Sequence, residues 1–204
     1  MEKNRLEAFS DGVIAVNITI LVLELKAPHG EGIDALLPLL PTFLSYVLSF
    51  VYIGIYWNNH HHMLRAAAHV SGAALWANLL LLFWLSLFPF ATAWMGDNHF
   101  GATPTALYGV VLLMAAISYW VLQQTIIAAE GPSSFLKAAV GADWKGRVSP
   151  VLYLIAIGVA FYAPWIAQAI YVVVALTWLV PDRRIERALA GKPHHAESGA
   201  EHRG

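Results

Sequence analysis

The first long apolar run of the chain carries a carboxylate just inside one end, and few folds tolerate that. From Gly12 to Leu23 every residue is apolar except Asn17 and Thr19. Such a run reads as a membrane-spanning helix. Ser10 and Asp11 sit at its start. A charge in hydrocarbon is costly, so Asp11 has to face protein or water and not lipid. At roughly 100° per residue, Arg5, Phe9, Gly12, Val16, Thr19 and Leu23 fall on one side of the helix, with Ile20 at the edge. Ser10, Asn17 and Glu24 form a second stripe about a third of a turn round. A helix bathed in lipid has no use for two such stripes. A helix that lines something on one face and packs on another does.

Five further runs follow, which makes an all-α integral membrane protein with six transmembrane helices the expected fold. The spans are about Leu6 to Leu25, Thr42 to Met63, Gly72 to Trp94, Pro104 to Ala129, Arg147 to Ala163 and Pro164 to Val180. Each has about 17–26 residues, as a hydrocarbon core of about 30 Å requires. With 58% of residues hydrophobic and 12% charged, an ordinary soluble domain is excluded. Strand-period alternation is missing, which disfavours a β-barrel. The first run is long enough to span and has no small-residue cleavage site behind it, so it is not read as a cleaved leader. Residues 1–190 are expected to form one six-helix domain. Residues 191–204 are polar and patternless and read as a disordered tail. Arg183 to Leu189 reads as a short amphipathic continuation of the sixth span.

Basic residues set the orientation. Lys3, Arg5, Arg65, Lys137, Lys145, Arg147, Arg183, Arg184, Arg187, Lys192 and Arg203 fall on one side, and Lys26 alone on the other. Both termini are therefore expected in the cytoplasm, with the protein in the cell membrane.

Enzyme chemistry is not legible. There is no cysteine, no Ser/His/Asp constellation, no nucleotide loop, and nothing that points to a nucleic-acid partner. His60, His61 and His62 are consecutive, so on a helix they point apart and cannot easily chelate one ion. They read as an interfacial cluster, with no structural metal. The second span has its own stripe, Ser45, Ser49, Tyr52, Tyr56, Asn59, His60 and Met63. It serves either ordinary packing or contact with the first span. Depth favours the second reading at one end. Span one starts in the cytoplasm and span two ends there, so Ser10 and Asp11 lie level with Trp57, Asn58, His60 and His61. These supply the donors a buried carboxylate needs. Gln123 and Gln124 read as interhelical hydrogen-bonding groups. Asn17 offers a further hydrogen bond between helices. The tryptophans near span ends read as interfacial anchors.

Arg5-x-x-x-Phe9-Ser10-Asp11 at the head of a first span, followed by Ala15, Thr19 and Leu-Val-Leu-Glu, resembles the signature of the transmembrane-protein-175 family of potassium channels. Tyr56-Trp57-x-x-His60-His61 is similar to that family's second-helix pattern. The resemblance is concentrated in spans one and two. It implies a potassium-selective channel without the Thr-Val-Gly-Tyr-Gly filter of ordinary potassium channels, needing no cofactor beyond potassium as the permeant ion. It also implies a homotetramer in the bilayer, with the first helix of each subunit around the pore. By the same resemblance Val16 is the first apolar constriction residue, Ile20 and Leu23 follow it, and Thr19 bears on selectivity. Arg5, Phe9, Ser10, Asp11, Trp57, Asn58, His60 and His61 would form the structural network that supports the open state, with Asp11 an anchor and not an ion ligand. The alternative reading is a small proton-coupled secondary transporter, in which Asp11 and the histidines titrate. The absence of broken helices and inverted repeats in the sequence pattern speaks against it.

Overall fold

Apolar runs bounded by prolines and polar caps leave the backbone one way to satisfy itself in lipid, and the chain takes it by coiling into helices. The computed structural model describes residues 3–67, 69–131, 134, 136–137 and 143–179. The elements are α1 (Lys3–Leu23), a 3-10 segment (Ile33–Leu39), α2 (Leu40–Ala66), α3 (Gly72–Ser86), α4 (Phe88–Asp97), α5 (Ala102–Glu130), α6 (Trp144–Val159) and α7 (Pro164–Leu179). No strand occurs among the described residues. The expected tail over 191–204 and the helix expected over 183–189 lie outside them.

The six expected spans are present, with α3 and α4 together forming the third. Lys3–Leu23, Ile33–Ala66, Gly72–Asp97 and Ala102–Glu130 are each long and apolar enough to cross a membrane. The last two, α6 and α7, have 16 residues each and form a hairpin with a short turn whose Tyr162 is almost fully exposed.

The third span is not continuous, contrary to the unbroken helix its apolar run predicts. It is interrupted at Leu87, whose N–H turns back to Trp84 O at 3.3 Å before α4 resumes with Ala91 N on Leu87 O. Pro89 is the cause: it has no N–H to give the carbonyl four residues back, and its ring crowds that turn. Its fixed φ then suits the first turn of α4. The loop expected after span one likewise contains the 3-10 segment, which leads directly into α2. Two helices start on side-chain caps. Ser71 Oγ accepts from Ala74 N at 3.2 Å, and Asp143 accepts from Gly146 N at 2.8 Å. The second cap starts α6 three residues before the expected Arg147.

The centre of the bundle is α5, which packs on α3, α4, α6 and α7. α2 packs on α4, and α1 lies against α2 and α3. Buried tyrosines stitch the middle. Tyr108 meets Ser49 at 2.9 Å, Tyr52 donates to the Tyr171 carbonyl at 2.6 Å, and Tyr171 donates to the Thr105 carbonyl at 3.1 Å. Ser49 also meets Thr92 at 2.6 Å. Each hydroxyl thereby keeps a partner that lipid could not offer. The upper part of the second-span stripe, from Ser45 to Tyr52, thus serves packing. Gly96 permits a close backbone approach: a Cβ there would lie 2.6 Å from the Thr42 Cα.

Candidate functional site

The first helix is divided lengthwise. Leu6, Ser10, Ile14, Asn17 and Leu21 are buried at a spacing of three to four residues, which puts them on one face. The opposite face is bare in the protomer. Phe9 is 52% exposed, Val16 57%, Ile20 39% and Leu23 71%. Gly12, Ala15 and Thr19 are exposed with them. The stripe derived from helical period is therefore the uncovered side of α1, and the Ser10/Asn17 stripe is the packed side.

Thr19 on the bare face donates its hydroxyl hydrogen to Ala15 O, one turn back, at 3.1 Å. With its proton committed to its own helix, the Oγ1 presents lone pairs outward, as an acceptor.

The packed side is held at its N-terminal half by polar contacts. Lys3 Nζ donates to the Arg65 and Ala67 carbonyls at 3.2 and 2.9 Å, where the end of α2 leaves carbonyls without helical partners. Glu7 pairs with His61 Nδ1 at 3.0 Å. Trp57 Nε1 donates to Asp11 Oδ1 at 3.0 Å, and the Trp57 ring stacks on His61 with centroids 6.2 Å apart. Deeper, Ser10 Oγ donates to Leu6 O at 2.8 Å and accepts from Asn78 Nδ2 at 2.9 Å. Asn78 Oδ1 lies 2.7 Å from His60 Nε2. Because Ser10 spends its hydrogen on Leu6, Asn78 must donate to it, and Asn78 Oδ1 must accept from His60. That puts a proton on His60 Nε2.

Of the donors expected around Asp11, the structure brings Trp57. His61 goes to Glu7 and His60 to Asn78, while neither Arg5 nor Asn58 is hydrogen-bonded to Asp11 among the described residues. Asp11 is half-buried in the protomer. The fully buried member of the pair is Ser10, at 0% exposure. The reason is angular: one residue along a helix turns the side chain by roughly 100°, from the interface to its rim. The hydrogen bond expected of Asn17 is absent on its donor side, since its Nδ2 is buried without a partner among the described residues. Sequence reasoning missed Asn78, Glu7 and Lys3. Asn78 carried a signal, as a lone amide inside the apolar run of α3. The three histidines do not converge, and no group of three His, Cys, Asp or Glu among the described residues could hold a metal ion.

Apart from Lys3, the residues of this site lie within the stretch that matches a family model. Residues 5–89 match the family model described as "Endosomal/lysosomal potassium channel TMEM175". A potassium channel of Chryseobacterium sp. is 53% identical over 189 residues, covering 93% of this chain and 98% of that one. The endosomal/lysosomal proton channel TMEM175 of Gallus gallus is 33% identical over 103 residues, which is 45% of this chain and 21% of the relative. The crystal structure of a lysosomal potassium-selective channel TMEM175 homolog from Chamaesiphon minutus superposes with a TM-score of 0.77 at 30% identity, covering 87% of this chain and 96% of that one.

Proposed function

This chain belongs to the TMEM175 family of potassium channels, and on that premise we propose that it conducts potassium through a homotetrameric pore lined by α1. The observation that carries the reading is the bare stripe of α1. A helix packed on one side and uncovered along Phe9, Val16, Thr19 and Leu23 supplies one wall of a path, and closing the path takes further copies.

In the assembled pore Val16, Ile20 and Leu23 recur at i, i+4 and i+7, so they stack as rings about 5 Å apart along the axis. An apolar ring offers a partly dehydrated ion nothing in place of its water shell. It raises a barrier that depends steeply on width, and a narrow ring dewets. Thr19 sits within this apolar stretch as an outward-facing acceptor oxygen, which favours a cation over an anion. The contacts from Lys3, Glu7, Ser10 and Asp11 to α2 and α3 set the angle of α1 and hence the ring width. Phe9 and Arg5 lie toward the cytoplasmic mouth. Both termini are cytoplasmic, and the cell membrane is the site of action. Potassium is the permeant ion and no cofactor is required.

The deciding experiment is potassium efflux from liposomes holding the purified protein. Valinomycin-independent efflux that exceeds sodium efflux is the expected result. Saturable, stoichiometric proton-coupled flux without channel current would overturn the channel reading in favour of a transporter.

A further inference from the structure

The packed face of α1 carries a polar group left unsatisfied. Asn17 is 3% exposed, and its Nδ2 is buried without a hydrogen-bond partner among the described residues. An unpaired amide hydrogen in so dry a place is costly. Lys3 meets Ala67, just before α3, and Ser10 meets Asn78 of α3 at 2.9 Å, so α1 and α3 run side by side in the same direction. Two helical turns on, about 10 Å along both axes, Asn17 lies level with Leu85, which is 1% exposed. There α3 ends at Ser86 and α4 starts at Phe88, and α1 packs on both. The end of α3 leaves carbonyls over. Phe83 O takes the Ser86 hydroxyl at 2.7 Å, and Trp84 O takes the Leu87 N–H at 3.3 Å. The helical donor for Leu85 O would be the N–H of residue 89, which is a proline. The Leu87 N–H, already given to Trp84 O, only leans toward it. A donor without an acceptor thus stands beside an acceptor short of a donor.

We propose that Asn17 latches the conducting position of α1, its Nδ2 donating to the Leu85 carbonyl when α1 tilts toward the α3–α4 break. The proposal rests on the reading of α1 as the pore wall. Its direction follows from helix geometry. Asn17 lies roughly 160° round α1 from Thr19, on the packed side, whereas Val16, Thr19 and Leu23 are bare. A move that brings Asn17 onto the break therefore draws the bare stripe away from the axis and widens the path. The break supplies the acceptor because a continuous helix has none to spare. α2, unbroken from Leu40 to Ala66, gives its interior carbonyls to its own N–H groups. A donor at the end of α3 also meets the negative end of that helix's dipole. Asn17 is a positioning residue: it touches no ion and acts through α1.

The test is single-channel recording of the purified full-length protein in planar bilayers, alongside thermal unfolding in mild detergent. Asn17→Leu keeps the size of the side chain and removes the donor. It should lower open probability about fivefold, the worth of one hydrogen bond, with unitary conductance and the K⁺/Na⁺ reversal potential unchanged. Its unfolding midpoint should hold or rise, because the amide has no donor bond to lose in the unlatched position, whereas a merely structural role would lower it. Pro89→Ala gives Leu85 O a helical donor. Replacing Asn17 in that background should therefore change opening by about twofold or less, a coupling read from the double-mutant cycle. Unaltered opening in Asn17→Leu overturns the proposal and leaves the channel reading standing. So does an undiminished fall on top of Pro89→Ala, or a midpoint that drops along with open probability. A wild-type protein that passes no current overturns the channel reading and the latch with it.

Discussion

Ser10 and Asn78 are fully buried, whereas Asp11 is half-buried beside a Trp57 that is 47% exposed. Adjacent residues of one motif therefore carry different weights. Replacing Asn78 by Leu strands the His60 Nε2 proton in a buried site, at about 1–3 kcal/mol for the unpaired group. Asp11→Ala breaks a contact that solvent and lipid headgroups can partly replace, and should cost about 1 kcal/mol or less. Unfolding midpoints of the two variants in mild detergent will rank them. A midpoint lower for Asp11→Ala than for Asn78→Leu contradicts the ranking. On the bare face the expectation concerns conduction and not stability, because Val16 and Thr19 touch little inside the protomer. Val16→Ala should widen the path and raise basal current, while Thr19→Val should chiefly lower the preference for K⁺ over Na⁺. Currents and bi-ionic reversal potentials measure these separately. If both variants assemble normally with wild-type currents and reversal potentials, these side chains do not line the path. The bare stripe was legible in the sequence because helical period alone sorts residues into faces. The Trp57–Asp11 contact was legible from depth. Asn78, Glu7 and Lys3 were not, because which helix lies beside α1 is a tertiary fact that no local pattern encodes.

Among the elements, the spans themselves were the most readable part of the chain, since length and apolarity fix them. Their interiors were less so. The interruption at Leu87 hides inside a continuous apolar run, and only Pro89 marks it. A proline within a run ends one helix or merely bends it according to what packs around the freed carbonyls. The start of α6 lies before the expected Arg147 because Asp143 caps it, and a capping role depends on the geometry of the next three residues. Between elements, a close backbone contact is Gly96 of α4 against Thr42 of α2. Backbone cannot retreat as a flexible side chain can, so Gly96→Ala should push the two helices apart. The expected destabilisation is about 1–3 kcal/mol, in the usual range for overpacking. Thermal unfolding in detergent reads it directly, and an unchanged midpoint would show that the α2–α4 contact gives way at no cost.

For the whole molecule, the apolar stripe on α1 and the basic bias of the loops make two expectations. Native mass measurement in mild detergent should give four chains. A conducting monomer would contradict the pore described above. A cysteine engineered into the tail should react only after the membrane is opened, and labelling of intact cells from outside would reverse the topology. One asymmetry has a mechanical result. Among the described residues, the polar side-chain contacts of α1 to other helices fall at Lys3, Glu7, Ser10 and Asp11, while beyond them Ile14 and Leu21 pack through apolar contact. Directional bonds resist sliding; dispersion contacts tolerate it. The helix is thus a lever with its fulcrum near Ser10. Leu23 lies about 20 Å from that fulcrum and Val16 about 9 Å, at about 1.5 Å per residue. A tilt of about 10° would therefore carry Leu23 roughly 3 Å and Val16 less than half as far. Opening should accordingly begin at the end of the path remote from the cytoplasm. Spin labels at Leu23 should separate more than labels at Phe9 when current is activated, and equal displacement at the two positions would mean the helix moves as a piston instead.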